Sequence, residues 1–339
     1  MGGDKLSVIR LKNAPSIIGY AAVVGRREHE GPLHDDFDLH DQKEKFGMNT
    51  WEKAESEMQR LAVNLALAKS NIRSNDLDAV FAGDLMNQCV GSSYGAECFN
   101  RPFFGLYGAC STFAEGCILA SLLVDSGSFS RCGVIASSHF CTAERQFRYP
   151  LEYGGQRTPT SQRTATAAGS LIISCEGNGP YIREVLPGTI VDFGITDINN
   201  MGAAMAPAAY DTLTKYFAES GKSPSDFDLI LTGDLGKEGH SIICDFMKNA
   251  GYDMYKSYND CGLMLYNADT QDMHAGGSGC GCSASVIAGH IMKRFEKKTL
   301  SDILYIATGA LMSPSSLQQG RSIPGIAHLV RICDSRDKE

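Results

Sequence analysis

The sequence predicts an α/β protein built from two similar halves, and three observations carry this prediction. The stretch DLDAVFAGDL at 76–85 recurs 150 residues later as DFDLILTGDL at 226–235, with five of ten positions identical. The apolar runs VFAG, VIAS, LILTG and LYIATG are continuous, as in strands that helices cover on both faces. Each half also has a small-residue turn that opens a long helical pattern, at 108–138 and at 276–310. Duplication explains all three, so we expect layered helices and sheets in an N-terminal half, 1–180, and a C-terminal half, 181–339.

The two halves repeat the same order of elements. Residues 51–75 and 206–225 carry apolar side chains at helical spacing, and each stretch ends in a polar turn. A short buried strand follows in each half, and then a loop that begins with Gly-Asp-Leu. The small-residue turn, a long helix, a polar break and an apolar strand complete each half.

Composition and charge exclude several classes of function. The 339 residues are 43% hydrophobic and 21% charged, which is typical of a globular protein with a large core. The formal net charge is −8, so we expect no nucleic-acid partner, because phosphate binding needs a basic face. No stretch is apolar over the roughly 18 residues that cross a bilayer, and the first residues resemble neither a signal peptide nor a myristoylation motif. We therefore expect a soluble chain of cytosolic character without a transmembrane segment.

The cysteines and histidines show no spacing typical of a metal site. The 12 cysteines form no CxxC pair, and we expect most of them to be reduced and buried. Residues 29–44, HEGPLHDDFDLHDQKE, are rich in histidine and acid, but they match no calcium loop and we interpret them as a solvated connector. We expect no metal and no cofactor.

Two residues in the repeated turns are candidates for chemistry. Cys110 lies in GACSTFAEG, beside the first turn of a helix predicted over 112–124, where free N–H groups and the helix dipole would stabilise a thiolate. His274 precedes the equivalent Gly-rich turn, and two turns related by duplication would face each other, bringing Cys110 and His274 into one pocket. The alternatives are that Cys110 is one more buried cysteine and that His274 is a structural loop residue.

A basic segment, 137–169, stands out in this acidic protein. Arginine suits bidentate recognition of a carboxylate, so the segment is a candidate for ligand binding; the alternative is a subunit interface or a solvated surface. The predicted ligand-binding set consists of Cys110, His139, Arg145, Arg148, Arg157, Arg163, His274 and Gly277.

The motifs taken together resemble a known family. GACSTFAEG, ERQFRYPLEYGGQRTPTSQRTATAAG, TGDLGKEG and MHAGGSGCGCSAS resemble the stage V sporulation protein AD family of spore-forming bacteria, over essentially the full length, within the thiolase and ketoacyl-synthase superfamily. The resemblance implies a thiolase-like fold of two α/β halves. It also implies that Cys110 matches the acyl-accepting nucleophile of the superfamily and His274 its catalytic histidine.

The sequence departs from the superfamily at two places. Gly233 and Asp234 stand where the superfamily has a second histidine or an asparagine, and IATGALM stands where thiolases carry a second cysteine. Aspartate brings negative charge instead of the donor that an oxyanion needs, so the condensation machinery looks incomplete. Cys280 or Cys282 remains an alternative replacement.

The resemblance implies binding of dipicolinic acid (pyridine-2,6-dicarboxylate), alone or as its calcium complex, and support for its uptake into the developing spore. It further implies membrane-embedded partners of the stage V sporulation A group, a peripheral location at the inner membrane of the forespore, and a homodimer. A flat dianion needs an apolar slot with cationic or N–H donors, which the two turns and the arginines would supply. The alternatives are an acyl-thioester condensing enzyme using Cys110 and His274, and a structural subunit with a vestigial pocket.

Overall fold

The continuous apolar runs form buried strands in the computed structural model, which describes residues 8–148 and 156–336. The strands are β1 Ile9–Arg10, β2 Ser16–Gly25, β3 Leu39–Asp41, β4 Ala79–Gly83, β5 Phe103–Leu106, β6 Arg131–Ser138, β7 Arg163–Thr164, β8 Ala167–Ser174, β9 Tyr181–Leu186, β10 Leu229–Thr232, β11 Tyr258–Asp260, β12 Gly277–Ser278, β13 Asp302–Ala310 and β14 Gly325–Cys333. The α-helices are α1 Arg26–His29, α2 Trp51–Lys69, α3 Val90–Ala96, α4 Thr112–Asp125, α5 Phe140–Phe147, α6 Met201–Ser220, α7 Gly236–Asn249, α8 Cys261–Leu265, α9 Cys280–Ser285, α10 Met292–Glu296 and α11 Pro314–Gln318. A π-helical stretch, Val286–Ile291, joins α9 to α10.

The main sheet consists of two groups of strands with the same order. One group runs β2-β8-β6-β4-β5 and the other β9-β14-β13-β10-β11, so each has its first, fifth, fourth, second and third strand side by side. In each group the fifth strand is antiparallel to both neighbours, while the second is parallel to both of its neighbours. Pairing of Ser16 with Tyr181 joins the groups, and β7 and β12 form a separate two-stranded ribbon. The sequence repeat thus corresponds to a repeat in topology; the boundary at residue 180 stays a prediction.

The repeat extends to individual hydrogen bonds. The Asp78 carboxylate accepts from the backbone N–H groups of Ser130 and Arg131, and the Asp228 carboxylate accepts in the same way from those of Ser301 and Asp302. In both halves these contacts fix the start of the fourth strand against the start of the second. The polar positions of the repeat therefore set the register of the strands.

The helices form three layers around the two groups of strands. Helix α2 packs on β2, β8 and β6, helix α6 packs on β13 and β14, and α4 lies between the two groups, in contact with β6 and β8 on one side and β13 and β14 on the other. Helix α9 lies beside α4, and all its residues are buried. This arrangement confirms the predicted fold class. It also places the N-termini of α4 and α9, and with them the two small-residue turns, at the centre of the molecule.

Candidate functional site around Cys110

A tightly held turn presents Cys110. Ala109 has a φ of +51°, a conformation that residues other than glycine seldom adopt, and the Thr112 hydroxyl donates to the Ala109 carbonyl at 2.7 Å. Strand β13 approaches closely: a Cβ added at Gly309 would lie 2.3 Å from the Gly108 carbonyl oxygen. These contacts fix the thiol at the N-terminus of α4.

The thiol lies at a small cavity between the two halves. Its volume is about 40 Å³. Most of the wall is apolar, and the polar contributions come from a few side chains of different elements. The lining residues are Leu85, Tyr107, Ala109, Cys110, Ala143, Glu144, Phe147, Arg148, Thr164, Met201, Ser278, Ala310 and Met312. An apolar cleft with a few polar groups is the usual form of a site for a small molecule.

Ser278 and Asp234 are the polar neighbours of the thiol. The Cys110 Sγ lies 3.9 Å from the Ser278 Oγ. The Ser278 hydroxyl donates to Asp234 Oδ2 at 3.0 Å, and the Gly279 N–H donates to the same oxygen at 2.9 Å. The Thr308 hydroxyl donates to Asp234 Oδ1 at 2.8 Å. The carboxylate thus occupies the N–H donor at the start of α9 that an oxyanion would require.

Burial and Asp234 keep Cys110 in the thiol form. Burial, together with the negative charge of Asp234, raises the pKa of Cys110 well above its ordinary value. Burial raises the pKa of Asp234 to about 6, against the hydrogen bonds it accepts. The expectation of a stabilised thiolate is therefore wrong, because the burial penalty and an adjacent carboxylate outweigh the helix N-terminus.

His274 has a different neighbour. Its Nε2 lies 3.3 Å from Oδ1 of Asp272, and its side chain is 20% exposed. Among the described residues, those that line the Cys110 cavity do not include His274. The structure thus puts Ser278 and Asp234 beside the thiol, and that His274 shares this pocket stays a prediction. Gly277 lies next to Ser278 in β12, and its carbonyl accepts from the Gln162 side chain at 2.8 Å.

His139 is buried in the fold. Its Nδ1 accepts from the Cys141 N–H at 3.1 Å, which caps α5, and its Nε2 donates to the Glu44 carbonyl at 2.9 Å. Burial lowers the pKa of His139 to about 4, so the ring is neutral at pH 7. With both nitrogens occupied, His139 is suited to fixing α5 and offers no free donor to a ligand.

The four arginines of the basic segment have separate environments. Arg148 lines the cavity, is 8% exposed and pairs with Glu144. Arg145 is 49% exposed and pairs with Glu52 on α2. The other two arginines have different contacts. Arg157 donates to the Asp272 carbonyl at 2.6 Å, and Arg163 lies over the Phe140 ring at 3.8 Å. Within the described part of this segment, which lacks 149–155, Arg148 is the arginine that faces the cavity.

The two alternative thiols are also buried. Cys280 donates to the Ser137 carbonyl at 2.9 Å, and the Cys282 Sγ lies 4.0 Å from the Gly233 carbonyl. Burial raises the pKa of both thiols well above the ordinary value. Among the described residues, the cavity lining includes neither Cys280 nor Cys282. The geometry therefore does not support either thiol as a substitute nucleophile.

Sequence reasoning missed several cavity residues. Glu144, Thr164 and Ser278 lie within the motifs that carry the family resemblance, but no sequence pattern distinguishes them from their neighbours. Asp234 stood out only as a departure from the superfamily. The signal that could have found it is the repeat, since Asp84 and Asp234 occupy the same position of the two Gly-Asp-Leu sequences.

Comparison with known proteins identifies the family. The family model described as stage V sporulation protein AD (SpoVAD) matches residues 5–333. The chain belongs to the SpoVAD family. The stage V sporulation protein AD of Bacillus subtilis (strain 168) is 44% identical over 304 residues, and the match covers 90% of each chain. Membership of the SpoVAD family supports a role in stage V of sporulation.

Solved structures share the fold at low sequence identity. The 3-oxoacyl-[acyl-carrier-protein] synthase III of Aquifex aeolicus VF5 matches with a TM-score of 0.56 and 14% identity, over 94% of this chain and 99% of that one. OleA of Xanthomonas campestris, with cerulenin bound, matches with a TM-score of 0.62 and 13% identity, over 96% and 98%. These neighbours confirm a thiolase-like fold of the ketoacyl-synthase type.

The described residues hold neither a candidate membrane span nor a candidate metal site. No helix in 8–148 or 156–336 has the length and apolar character needed to span a membrane. The same residues contain no group of three or more His, Cys, Asp or Glu side chains that could hold a metal ion.

Proposed function

We propose that this chain binds dipicolinic acid in the Cys110 cavity and supports its uptake into the developing spore. The observation that carries the proposal is the state of the former catalytic centre. Asp234 accepts the hydrogen bonds of Ser278, Gly279 and Thr308, and burial together with the Asp234 charge raises the pKa of the Cys110 thiol well above its ordinary value. Such a cavity can hold a ligand, but it lacks the activated nucleophile and the free oxyanion donors that condensation requires.

The chemistry of the wall supports a carboxylate ligand. The Arg148 guanidinium is the cation of the described wall, and it pairs with Glu144. Burial raises the pKa of Glu144, and the positive charge of Arg148 opposes this rise. A ligand carboxylate can replace Glu144 on Arg148, because guanidinium groups bind carboxylates in a bidentate manner. Phe147, Met201 and Met312 offer an apolar surface to the pyridine ring.

The experiment is a dipicolinate titration of four arginine variants, each changed to alanine. Arg148→Ala should weaken binding by about 2–5 kcal/mol, because a buried ligand carboxylate loses its partner. Arg145→Ala serves as the matched control, since this arginine is half exposed on α5, where it pairs with Glu52 of α2, and its loss should change binding by under about 1 kcal/mol. Arg157→Ala and Arg163→Ala should also change binding by under about 1 kcal/mol, because neither side chain lines the cavity among the described residues. Wild-type binding in all four variants would exclude the basic segment from the site.

The competing function is an acyl-thioester condensing enzyme that uses Cys110 and His274. It would show steady product formation from an acyl-thioester, abolished by Cys110→Ala. We expect no such turnover at neutral pH, because the thiol is protonated and Asp234 repels the negative charge of a thiolate and of an oxyanion.

We further propose a homodimer and a peripheral membrane location. Strand β5 lies at one end of the sheet order, and Phe103 and Phe104 are exposed on it, which favours pairing with a second copy.

Attachment to the forespore inner membrane would use membrane-embedded proteins of the stage V sporulation A group. Light scattering of the purified chain tests the dimer, and co-purification with those membrane proteins tests the attachment. Titration with and without calcium tests whether the ligand is the calcium complex.

A further inference from the structure

Two arginines behind the cavity have buried nitrogen atoms without an acceptor. Arg157 Nη1 and Arg163 Nε are each shielded from water and make no hydrogen bond in the structure. Arginine has donors only, so water, a carbonyl or an anion must satisfy them. Leaving a charged donor buried and unpaired costs more than leaving a neutral one. Two such atoms in neighbouring guanidinium groups point to a missing acceptor.

The Arg163 side chain lies on the other side of the β7–β12 ribbon from Cys110. Successive residues of a strand point to opposite faces, and Thr164 lines the Cys110 cavity. Arg163, the residue before it, therefore points away from the cavity, and its guanidinium lies over the Phe140 ring at 3.8 Å. Arg163 thus contacts a ring face, which leaves the edge of its guanidinium, including Nε, for an acceptor.

Among the described residues, no carboxylate near these arginines accepts a hydrogen bond from Arg157 Nη1 or Arg163 Nε. Glu144 pairs with Arg148. Glu28 is buried; its Oε1 accepts from the Tyr266 hydroxyl and from the Thr166 N–H, and its Oε2 makes no hydrogen bond. Asp272 gives its carbonyl oxygen to Arg157 at 2.6 Å, while its exposed carboxylate is 4.0 Å from the same Nη2 atom.

The guanidinium groups are close enough to repel each other. Burial and the positive charge of Arg163 lower the pKa of Arg157. Like charges held together out of water are stabilised when an anion lies between them. The charges of Asp272 and Glu144 oppose this lowering of the Arg157 pKa.

We propose that Arg157 and Arg163 form an anion-binding position for a carboxylate group, separate from the Cys110 cavity. A planar carboxylate matches the planar donor edge of a guanidinium and can accept from both side chains at once. This proposal does not depend on dipicolinate binding at Cys110, since neither arginine lines that cavity among the described residues. Both arginines lie in one segment, which is joined to the Gly-rich turn by the Ala275 N–H donating to the Ser161 carbonyl. A carboxylate that binds only the folded chain would stabilise the folded state.

The experiment measures thermal unfolding of the full chain in sodium acetate, with sodium chloride keeping the ionic strength constant at pH 7. The Tm of the wild type should rise by about 2–4 °C when acetate reaches about ten times its Kd. Arg157→Gln and Arg163→Gln should each remove this rise. Arg145→Gln, the matched control on the exposed pair with Glu52, should keep it. Cys110→Ala should also keep it, because the cavity is a separate place.

Three results would overturn the proposal. The first is a wild-type Tm that does not rise with acetate, which would assign the two nitrogens to water. The second is a full rise in Tm in both glutamine variants. The third is the loss of the rise in Cys110→Ala. If Arg163→Gln does not fold, Arg157→Gln alone decides, with line broadening of ¹³C-acetate as a second readout that needs no unfolding.

A final experiment repeats the acetate series with saturating dipicolinate. If acetate no longer raises the Tm, dipicolinate supplies the carboxylate; if acetate still raises it, a free carboxylate does.

Discussion

The Gly-Asp-Leu sequence occurs twice, and its two aspartates bind different groups. Asp84 accepts hydrogen bonds from the Met86 N–H at 2.9 Å, the Ser92 N–H at 2.7 Å and the Ser92 hydroxyl at 2.6 Å. All three donors lie within eight residues of it, in the loop and helix that follow its own strand. Asp84 therefore closes a local turn in the N-terminal half.

Asp234 instead binds groups from distant segments. Its partners Ser278, Gly279 and Thr308 belong to the ribbon, the start of α9 and β13, and Ser278 also lies beside Cys110. Duplication thus preserved the strand and the buried carboxylate in both halves, but only one copy controls the cysteine. The contrast teaches that an identical motif can stabilise the fold in one half and determine the chemistry of a site in the other.

The largest effect should come from Asp84→Ala. The substitution leaves the N–H groups of Met86 and Ser92 buried without an acceptor, so the free energy of unfolding should fall by about 3–4 kcal/mol. Urea denaturation measures the loss. A change below about 1 kcal/mol would show that the local role assigned to Asp84 is wrong.

Asp234 should make stability depend on pH. Its folded-state pKa of about 6 lies above the ordinary value of an aspartate, so the folded protein binds this proton more tightly than the unfolded chain. The resulting stabilisation is present below about pH 4 and is lost as the pH rises to 6, by about 3 kcal/mol at 1.4 kcal/mol per pKa unit. The measurement is the unfolding free energy of the wild type and of Asp234→Asn at pH 4, 5 and 6. The difference between the two should change as the pH rises, because only the wild type loses the stabilisation from this proton. Parallel curves would contradict the assignment.

Cys110 reactivity should separate the two aspartates. Removing the Asp234 charge lowers the pKa of Cys110, so Asp234→Asn should raise the rate of Cys110 alkylation by iodoacetamide at pH 8 by about tenfold, one pKa unit. Asp84→Asn is the matched control and should leave the rate unchanged. Peptide mass spectrometry distinguishes Cys110 from the other 11 of the 12 cysteines. Equal rates in the two variants would mean that Asp234 does not control the thiol.

The smallest effect belongs to the surface of α5. Arg145→Gln removes a half-exposed ion pair with Glu52 and should change the free energy of unfolding by under about 1 kcal/mol. Arg148→Gln leaves Glu144, whose side chain is only 12% exposed, without its partner and should destabilise the protein more. Thermal unfolding of the two variants side by side makes the test, and the reverse order would contradict the burial assigned to them.

Local patterns predicted the fold well because the repeat encodes it. The continuous apolar runs specify buried strands, and Asp78 and Asp228 bind the neighbouring strand through backbone groups that any sequence provides. The turn that holds Cys110 was also predictable, since small residues before an apolar helical pattern mark such a turn.

The partners of Cys110 were not predictable in the same way. Whether Ser278 or His274 approaches the thiol depends on how the two halves pack, and a shift of a few residues along the Gly-rich turn changes the answer. The directions of the arginines depend on the register of the β7–β12 ribbon, which pairs Thr164 with Ser278 and so sends Arg163 to the other face. Non-local pairing of this kind leaves no periodic signal in a single sequence.

One measurement tests most directly the claim that the Cys110 cavity is a carboxylate-binding site without turnover. The purified chain is titrated by calorimetry with dipicolinate and, in parallel, with an acyl-coenzyme A. The sample with acyl-coenzyme A is then analysed for acylated Cys110 and for condensation product. We predict saturable dipicolinate binding that Arg148→Ala weakens by about 2–5 kcal/mol, together with no acyl transfer to Cys110. Acylation of Cys110 with steady product formation, and no dipicolinate binding, would contradict the account.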